Sequence, residues 1–396
     1  MKNLMYLVRR EFKMFFSNTT LLLVFVAAPI IYAVMLASVY KSGKATELPV
    51  VVVDRDNSPM SLQILEMLED NEGIEIKKVL AESNDVQADM VKLDASAMVI
   101  IPDRFEADIL QARYPEVMVY CNTVNLLTAN FVSKSIQTSL GTFAAGAEIK
   151  ALQRRGMSGA EAKMKYEPFK QNYVKVFNET GNYFSFMWPA MLTVVLQQVI
   201  LLAMAVSIAF EVENNSFGKG IVSKTKSALA TVLIKVAPVW VLSIPMVGIF
   251  YGFHVLYDAP LPSGPFNFIV LSALFVVSAT FLGVMISAML PNALKATQVL
   301  MLLSAPGFII SGYTWPIFAM ATPIQWLANA LPLTPFLNAF KHLLMEGATL
   351  QQVLPSIQQL AIQIVAYFLL SVILVKWRIK KEEKKMKLQV AAVEEK

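Results

Sequence analysis

Residues able to do chemistry are few in this chain, and their spacing suits little of it. Asp54-Arg55-Asp56 sets two carboxylates around a guanidinium at the end of an apolar run, which resembles a metal or acid/base site. Acidic residues between a strand and a helix are ordinarily turn and cap formers, so turn chemistry is the expectation there. His254 and His342 are the only histidines; they lie far apart, each beside an apolar run, and read as structural or interfacial residues rather than metal ligands. Cys121 is the sole cysteine, which excludes an intrachain disulfide and a thiolate cluster. Neither Gly43-Lys44 nor Gly218-Lys219 sits in the Gly-x4-Gly-Lys-Ser/Thr frame that cradles phosphates, so the chain has no P-loop. The expectation is a non-enzyme with no metal and no cofactor of its own.

The other candidates are polar or soft side chains inside apolar runs. Gln197 and Gln198 stand mid-run among Met, Leu, Val and Ala, where an amide facing lipid is costly. Either they line a substrate pathway or they hydrogen-bond a neighbouring helix as glue. Met187, Trp188 and Met191 near the start of the same run offer an adaptable apolar surface for substrates or, for Trp188, an interface anchor.

What must position these residues is a set of six long apolar segments. The first covers Thr20 to Tyr40; the others run from Phe186 to Phe210, Ala228 to Phe253, Phe266 to Leu290, Gln298 to Met320 and Leu354 to Lys376. About 20 apolar residues suffice for a helix to cross a bilayer. A composition of 56% hydrophobic and 16% charged residues, with a mean hydropathy of +0.54, agrees. The fold class expected is therefore an α-helical polytopic membrane protein, six transmembrane helices in a 1+5 arrangement with a mixed α/β extracytoplasmic domain between the first and second. Its parts are an interfacial helix at 1–19, the first span at 20–40, the outer domain at 41–185, a five-helix membrane domain at 186–376 and a basic tail at 377–396.

Short-loop charges set the orientation. Lys2, Arg9, Arg10 and Lys13 precede the first span, Lys219, Lys224, Lys226 and Lys235 flank the loop after the second, and Lys295 follows the fourth. The loop from His254 to Pro265 carries no Lys or Arg, and Lys341 is the only one between Ser311 and Pro355. Both termini are thus expected in the cytoplasm, and the net charge of +5 reflects topology, with no nucleic-acid partner implied. Leu4, Val8, Phe12 and Phe15 recur at helical spacing, which suits an interfacial helix on membrane lipid; a plain basic flank is the other reading.

Within 41–185 the pattern alternates. Strands are expected at Pro49–Val53, Ile74–Val79, Ala97–Ile101 and Val117–Tyr120, with helices at Pro59–Asp70, Val86–Leu93 and Arg104–Ala112, the first capped by Ser58. One long helix is expected from Leu126 to Met157. From Ser311 to Thr334 the chain stays apolar yet carries Gly312, Pro316, Pro323 and Pro332, which predicts short broken helices near 311–335, a partly buried hydrophobic loop being the plain reading.

Arg10-Glu11 with Pro29, Val53-Asp54-Arg55-Asp56-Asn57-Ser58-Pro59, Ala97-Met98-Val99-Ile100-Ile101-Pro102, and Ser311-Gly312, Pro316, Pro323 and Leu331-Pro332-Leu333-Thr334 occur in that order. Together they resemble the membrane-spanning subunits of ABC-2 type ATP-binding-cassette exporters, in the drug-efflux and phage-infection-related branch with a large extracytoplasmic domain. The resemblance implies a permease in the bacterial inner (plasma) membrane that moves hydrophobic or amphipathic compounds outward. It implies a cytoplasmic ABC ATPase subunit that binds the ATP, and a second permease copy as homodimer or paralogous heterodimer; a periplasmic adaptor is a further partner of such systems. It also marks Glu211, Glu213, Phe217 and Lys235 as the ATPase-coupling loop, although the Arg and Gly-Thr usual there are missing, and the broken segment as the exit side. A membrane receptor or scaffold whose outer domain binds a partner without transport is the alternative.

Overall fold

The computed structural model describes residues 2–166, 174–261 and 264–394. Residues 167–173 of the expected return to the bilayer, 262–263 of the expected outer loop, and residues 1, 395 and 396 at the termini lie outside the described residues. The chain forms two compact units, one of Lys44–Lys175 and one made of the flanking segments.

The helical unit opens with α1 (Lys2–Ser17) and α2 (Thr19–Tyr40). Asn18 separates them, its side chain accepting a hydrogen bond from the Leu21 N–H and so capping α2. Phe25, Pro29, Ala33 and Ala37 are the buried residues of α2, a stripe repeating every fourth residue. Its remaining surface is mostly apolar and half-buried or exposed, with Leu23, Ile31, Met35 and Val39 outward, as expected of a helix in lipid.

Lys44–Lys175 is built from β1 (Leu48–Asp54), α3 (Pro59–Glu69), β2 (Ile74–Leu80), α4 (Val86–Lys92), β3 (Ala97–Ile101), α5 (Phe105–Leu110), β4 (Met118–Cys121), α6 (Leu126–Arg154) and α7 (Gly159–Tyr166). The sheet order is β2-β1-β3-β4, with β1 parallel to β2 and β3, and β4 antiparallel to β3. Strand alternation sends Val50 and Val52 into a core with Ile64, Leu68, Val132 and Ile136, and Val51 and Val53 into a second core with Ala95 and Met98. Both faces of β1 are covered, which is why its sequence is a continuous run of valines. Asp54 does the turn chemistry its position predicts: its carboxylate accepts from the N–H groups of Asp56 and Asn57 and from the Ser61 hydroxyl at 2.7 Å. Ser58 and Ser61 complete a reciprocal cap on α3, with Pro59 in its first turn. The expected long helix stops at Arg154 rather than 157, because Gly156 turns the chain at φ +93°.

Beyond Val176 come α8 (Tyr183–Glu213), a π-helical turn (Gly218–Val222), α9 (Ala228–Leu256), α10 (Pro265–Met289), α11 (Ala293–Ser304), α12 (Gly307–Ile310), a 3-10 turn (Ile317–Ala319), α13 (Thr322–Ala330), α14 (Leu333–Met345) and α15 (Leu354–Glu394). Six helical stretches among the described residues are long and apolar enough to cross a membrane: α2, α8, α9, α10, the Ala293–Ile310 pair and the first part of α15. α8 and α10 are the most buried of these. The fifth differs from its expected range of 298–320. It starts earlier because the Asn292 side chain caps it by accepting from the Lys295 N–H, and it is interrupted at Pro306, which supplies no N–H to the helix ladder. Gly312 at φ +86° then takes a left-handed turn closed by Ile317, whose Cγ1 would lie 2.6 Å from any Cβ at 312. Short helices follow, as the prolines predict: Pro316 precedes the 3-10 turn, Pro323 sits in the first turn of α13, and Pro332 immediately precedes α14. The last helix runs well past Lys376, since no Pro or Gly follows Pro355 before Glu394.

Candidate functional site

α1 turns a stripe of Leu7, Glu11 and Phe15 inward, all buried. Of the face expected from Leu4, Val8, Phe12 and Phe15, only Phe15 is buried; Leu4 is exposed and Val8 and Phe12 are half-buried. The helix is rotated because Glu11, in the middle of the buried stripe, has partners inside the bundle.

Those partners form a closed ring of alternating charge. Lys235, about two turns into α9, has no exposed side-chain surface. Its Nζ donates to Glu11 Oε2 at 2.9 Å, Glu211 Oε1 at 2.7 Å and the Ser207 carbonyl at 2.8 Å, which uses all three ammonium protons. Arg10 Nη1 lies 2.7 Å from Glu11 Oε1 and 3.1 Å from Glu211 Oε1, closing the circuit from α1 to the last turn of α8. Burial alone would lower the Arg10 pKa, but Glu211 and then Glu11 outweigh it and hold the guanidinium above its usual value. Two cations against two anions leave the ring neutral, the condition under which buried charges are tolerated. Glu211 Oε2 remains without a partner. Gly220 makes room for the ring: a Cβ there would come within 2.6 Å of Arg10 Nη2.

The connection from α8 to α9 is pinned at several points. Phe217, which the resemblance puts in the ATPase-coupling loop, is fully buried among the residues of the helical core, and Gly218, Ile221 and Val222 are buried with it. An apolar ring in a short connection gains more by packing inward than by facing solvent. Glu213 is exposed, and its carboxylate accepts from Asn292 Nδ2 at 2.7 Å and the Ala293 N–H at 3.0 Å, so it caps the start of α11. Lys219, Lys224 and Lys226 carry the exposed charge of this connection.

The expected pathway residues separate. Trp188 is buried and donates its indole N–H to the Ala33 carbonyl at 3.0 Å, stacking on Phe184 and meeting His254 and Tyr257 edge-on; it ties α8 to α2 and is no interface anchor. Met187 is buried, and Met191 half-buried. Gln198 accepts from the Ser304 hydroxyl at 2.9 Å, bonding α8 to α11 as interhelical glue. Gln197 is buried with its Oε1 unpartnered. His254 bonds the Pro260 carbonyl through Nδ1, and His342 takes Glu346, as structural histidines do. No group of metal-ligating side chains occurs among the described residues.

Sequence reading placed Arg10, Glu11, Glu211 and Lys235 in important segments without joining them. Lys235, a lone charge inside the apolar run that opens at Ala228, was the available signal, since a charge so placed requires a partner. No curated protein matches the chain. Residues 16–373, a range that includes Glu211, Lys235 and the broken helices, match the family described as ABC-2 family transporter protein, and the chain belongs to the ABC-2 family of transporters.

Proposed function

We propose that this chain is the permease of an ABC-2 exporter, moving hydrophobic or amphipathic, drug-like or lipid-like compounds out of the cytoplasm or inner leaflet. A separate ABC ATPase supplies the energy, and two permease copies, identical or paralogous, frame the route. The family match across nearly the whole chain carries this reading, and membership implies the ATPase. In this arrangement both termini and the α8–α9 connection lie in the cytoplasm, Lys44–Lys175 lies outside it, and 311–335 forms a re-entrant exit-side segment.

The coupling face is proposed on the α8–α9 connection. Glu213, Lys219 and Lys224 are exposed there and available to an ATPase, while Phe217 and the Glu211–Lys235 pair act from within. α1, α8 and α9 meet in the charge ring beside this connection, so a push on the connection reaches three helices at once.

Affinity purification of the tagged chain from its native cells tests the proposal. An ABC ATPase should co-purify, its hydrolysis should respond to added amphipathic compounds, and Lys219→Glu with Lys224→Glu should weaken the association while leaving the permease at normal abundance. A complex lacking any ATPase and held through Lys44–Lys175 would instead indicate a receptor or scaffold.

A further inference from the structure

The broken helices after Gly312 enclose a cavity of about 480 Å3, within the range of small-molecule sites. Gly312, Pro316 and Ile317 form one side, and α14 supplies the other. Its lining is divided by chemistry. Ile317 and the largely exposed Phe318 give an apolar lip, while Lys341, Asn338, Gln359 and Thr334 are polar.

Two observations indicate what this cavity takes. Lys341 is its only charged lining residue, with no carboxylate among the described residues that line it. The nearest acid in sequence, Glu346, is engaged by His342 at 2.7 Å. Independently, the Thr334 hydroxyl is buried, with the residue 2% exposed, and has no hydrogen-bond partner. A buried hydroxyl left unpaired destabilises the fold, a cost removed when a ligand supplies the partner. An ammonium and a free hydroxyl beside an apolar lip suit an oxyanion attached to a hydrophobic body.

We infer that this cavity is a binding site for an anionic amphipath, a phosphate monoester or carboxylate whose oxygens meet Lys341 and Thr334 and whose apolar portion rests on Ile317 and Phe318. A lipid headgroup and a free amphipathic solute share this chemistry. Its place on an export route rests on the permease reading, but binding is measured on the chain without any ATPase, so the two can fail separately.

The full chain in phosphatidylcholine nanodiscs is titrated with hexyl phosphate, hexyltrimethylammonium and inorganic phosphate. Hexyl phosphate should bind saturably, more tightly than either of the others. Lys341→Gln should weaken it roughly tenfold or more, the loss expected for a charge-assisted bond, and Lys341→Arg should largely restore it. Thr334→Val should weaken binding while holding or raising the thermal midpoint of the ligand-free chain, because it removes an unpaired buried hydroxyl; a hydroxyl with a merely structural role would show the opposite thermal change. Equal affinity of wild type and Lys341→Gln, equal affinity for hexyltrimethylammonium, or equal affinity for inorganic phosphate would overturn the assignment. Competition by phosphatidylglycerol in the nanodisc assigns the site to lipid, and lack of competition assigns it to a soluble amphipath; both support the site.

Discussion

Gly283 of α10 packs so closely on Met204 of α8 that a Cβ at 283 would stand 2.4 Å from the methionine's Cβ. The atom in the way belongs to the root of a side chain and cannot swing aside. Nearby, the Ser287 hydroxyl accepts from the Ile208 and Ala209 N–H groups and donates to the Ala205 carbonyl, so the same pair of helices is joined by hydrogen bonds where they approach. Gly283→Val should therefore force α8 and α10 apart at a cost of about 1–3 kcal/mol. Gly248, where an added Cβ meets nothing within 4 Å, is the control. Thermal unfolding followed by size exclusion should show a lowered midpoint for Gly283→Val and little change for Gly248→Ala.

Breaking the charge ring on one side leaves an uncompensated charge in the interior. Lys235→Met should destabilise the chain by about 3–5 kcal/mol, as Glu211 and Glu11 would share only Arg10. Lys235→Met combined with Glu211→Gln should recover part of that loss, leaving one cation and one anion. A double variant no more stable than the single one would show that the ring does not act as a unit.

Phe217→Ala should first be a packing defect. Truncating a fully buried aromatic side chain costs about 3–5 kcal/mol, so abundance and thermal midpoint should fall. Phe217→Leu, which keeps most of the volume, should be milder in both. ATPase association measured per folded permease should respond more to reversal of Lys219 than to Phe217→Leu.

The proposed orientation is checked by cysteine labelling in a Cys121→Ser background. Lys341→Cys should react with an impermeant maleimide on intact cells, and Lys224→Cys only after the membrane is opened. Labelling of position 224 in intact cells would reverse the arrangement.

Lys44–Lys175 should unfold cooperatively as an isolated fragment, since β1 is enclosed by its own two cores and α3 by its own cap. Ser58→Ala should cost the fragment about 1 kcal/mol, read from its urea midpoint.

Local structure was legible where one kind of pattern decided it. The valine run of β1, the Ser58-Pro59 cap and the apolar lengths of α2, α8, α9 and α10 each follow from neighbours in sequence, and their ends fall within a few residues of expectation. Long-range pairings were not legible in the same way. Periodicity assigned α1 an apolar face, yet Glu11 turned the helix because Lys235, 224 residues away, needed a counterion. Phe217 stands in a polar loop, and only the tertiary packing shows that its ring points inward. The fifth apolar run spread across Pro306 and Gly312 without periodicity marking which residues remained helical.

The final helix has a mechanical consequence. At 1.5 Å per residue its 41 residues extend roughly 60 Å, about twice the hydrocarbon thickness of a bilayer. Near the middle, Arg378 is buried and donates from Nε to the Ala288 carbonyl at 3.1 Å, anchoring the rod to the end of α10. With no Pro or Gly after Pro355, the helix has no joint at which to fold back on itself. Beyond that point the rod stays tied to the α8–α9 connection, where Lys385 donates to Asn215 Oδ1 at 2.5 Å and Glu383 pairs with Lys226 at 3.6 Å, so a lateral load on its far half is shared between α10 and that connection.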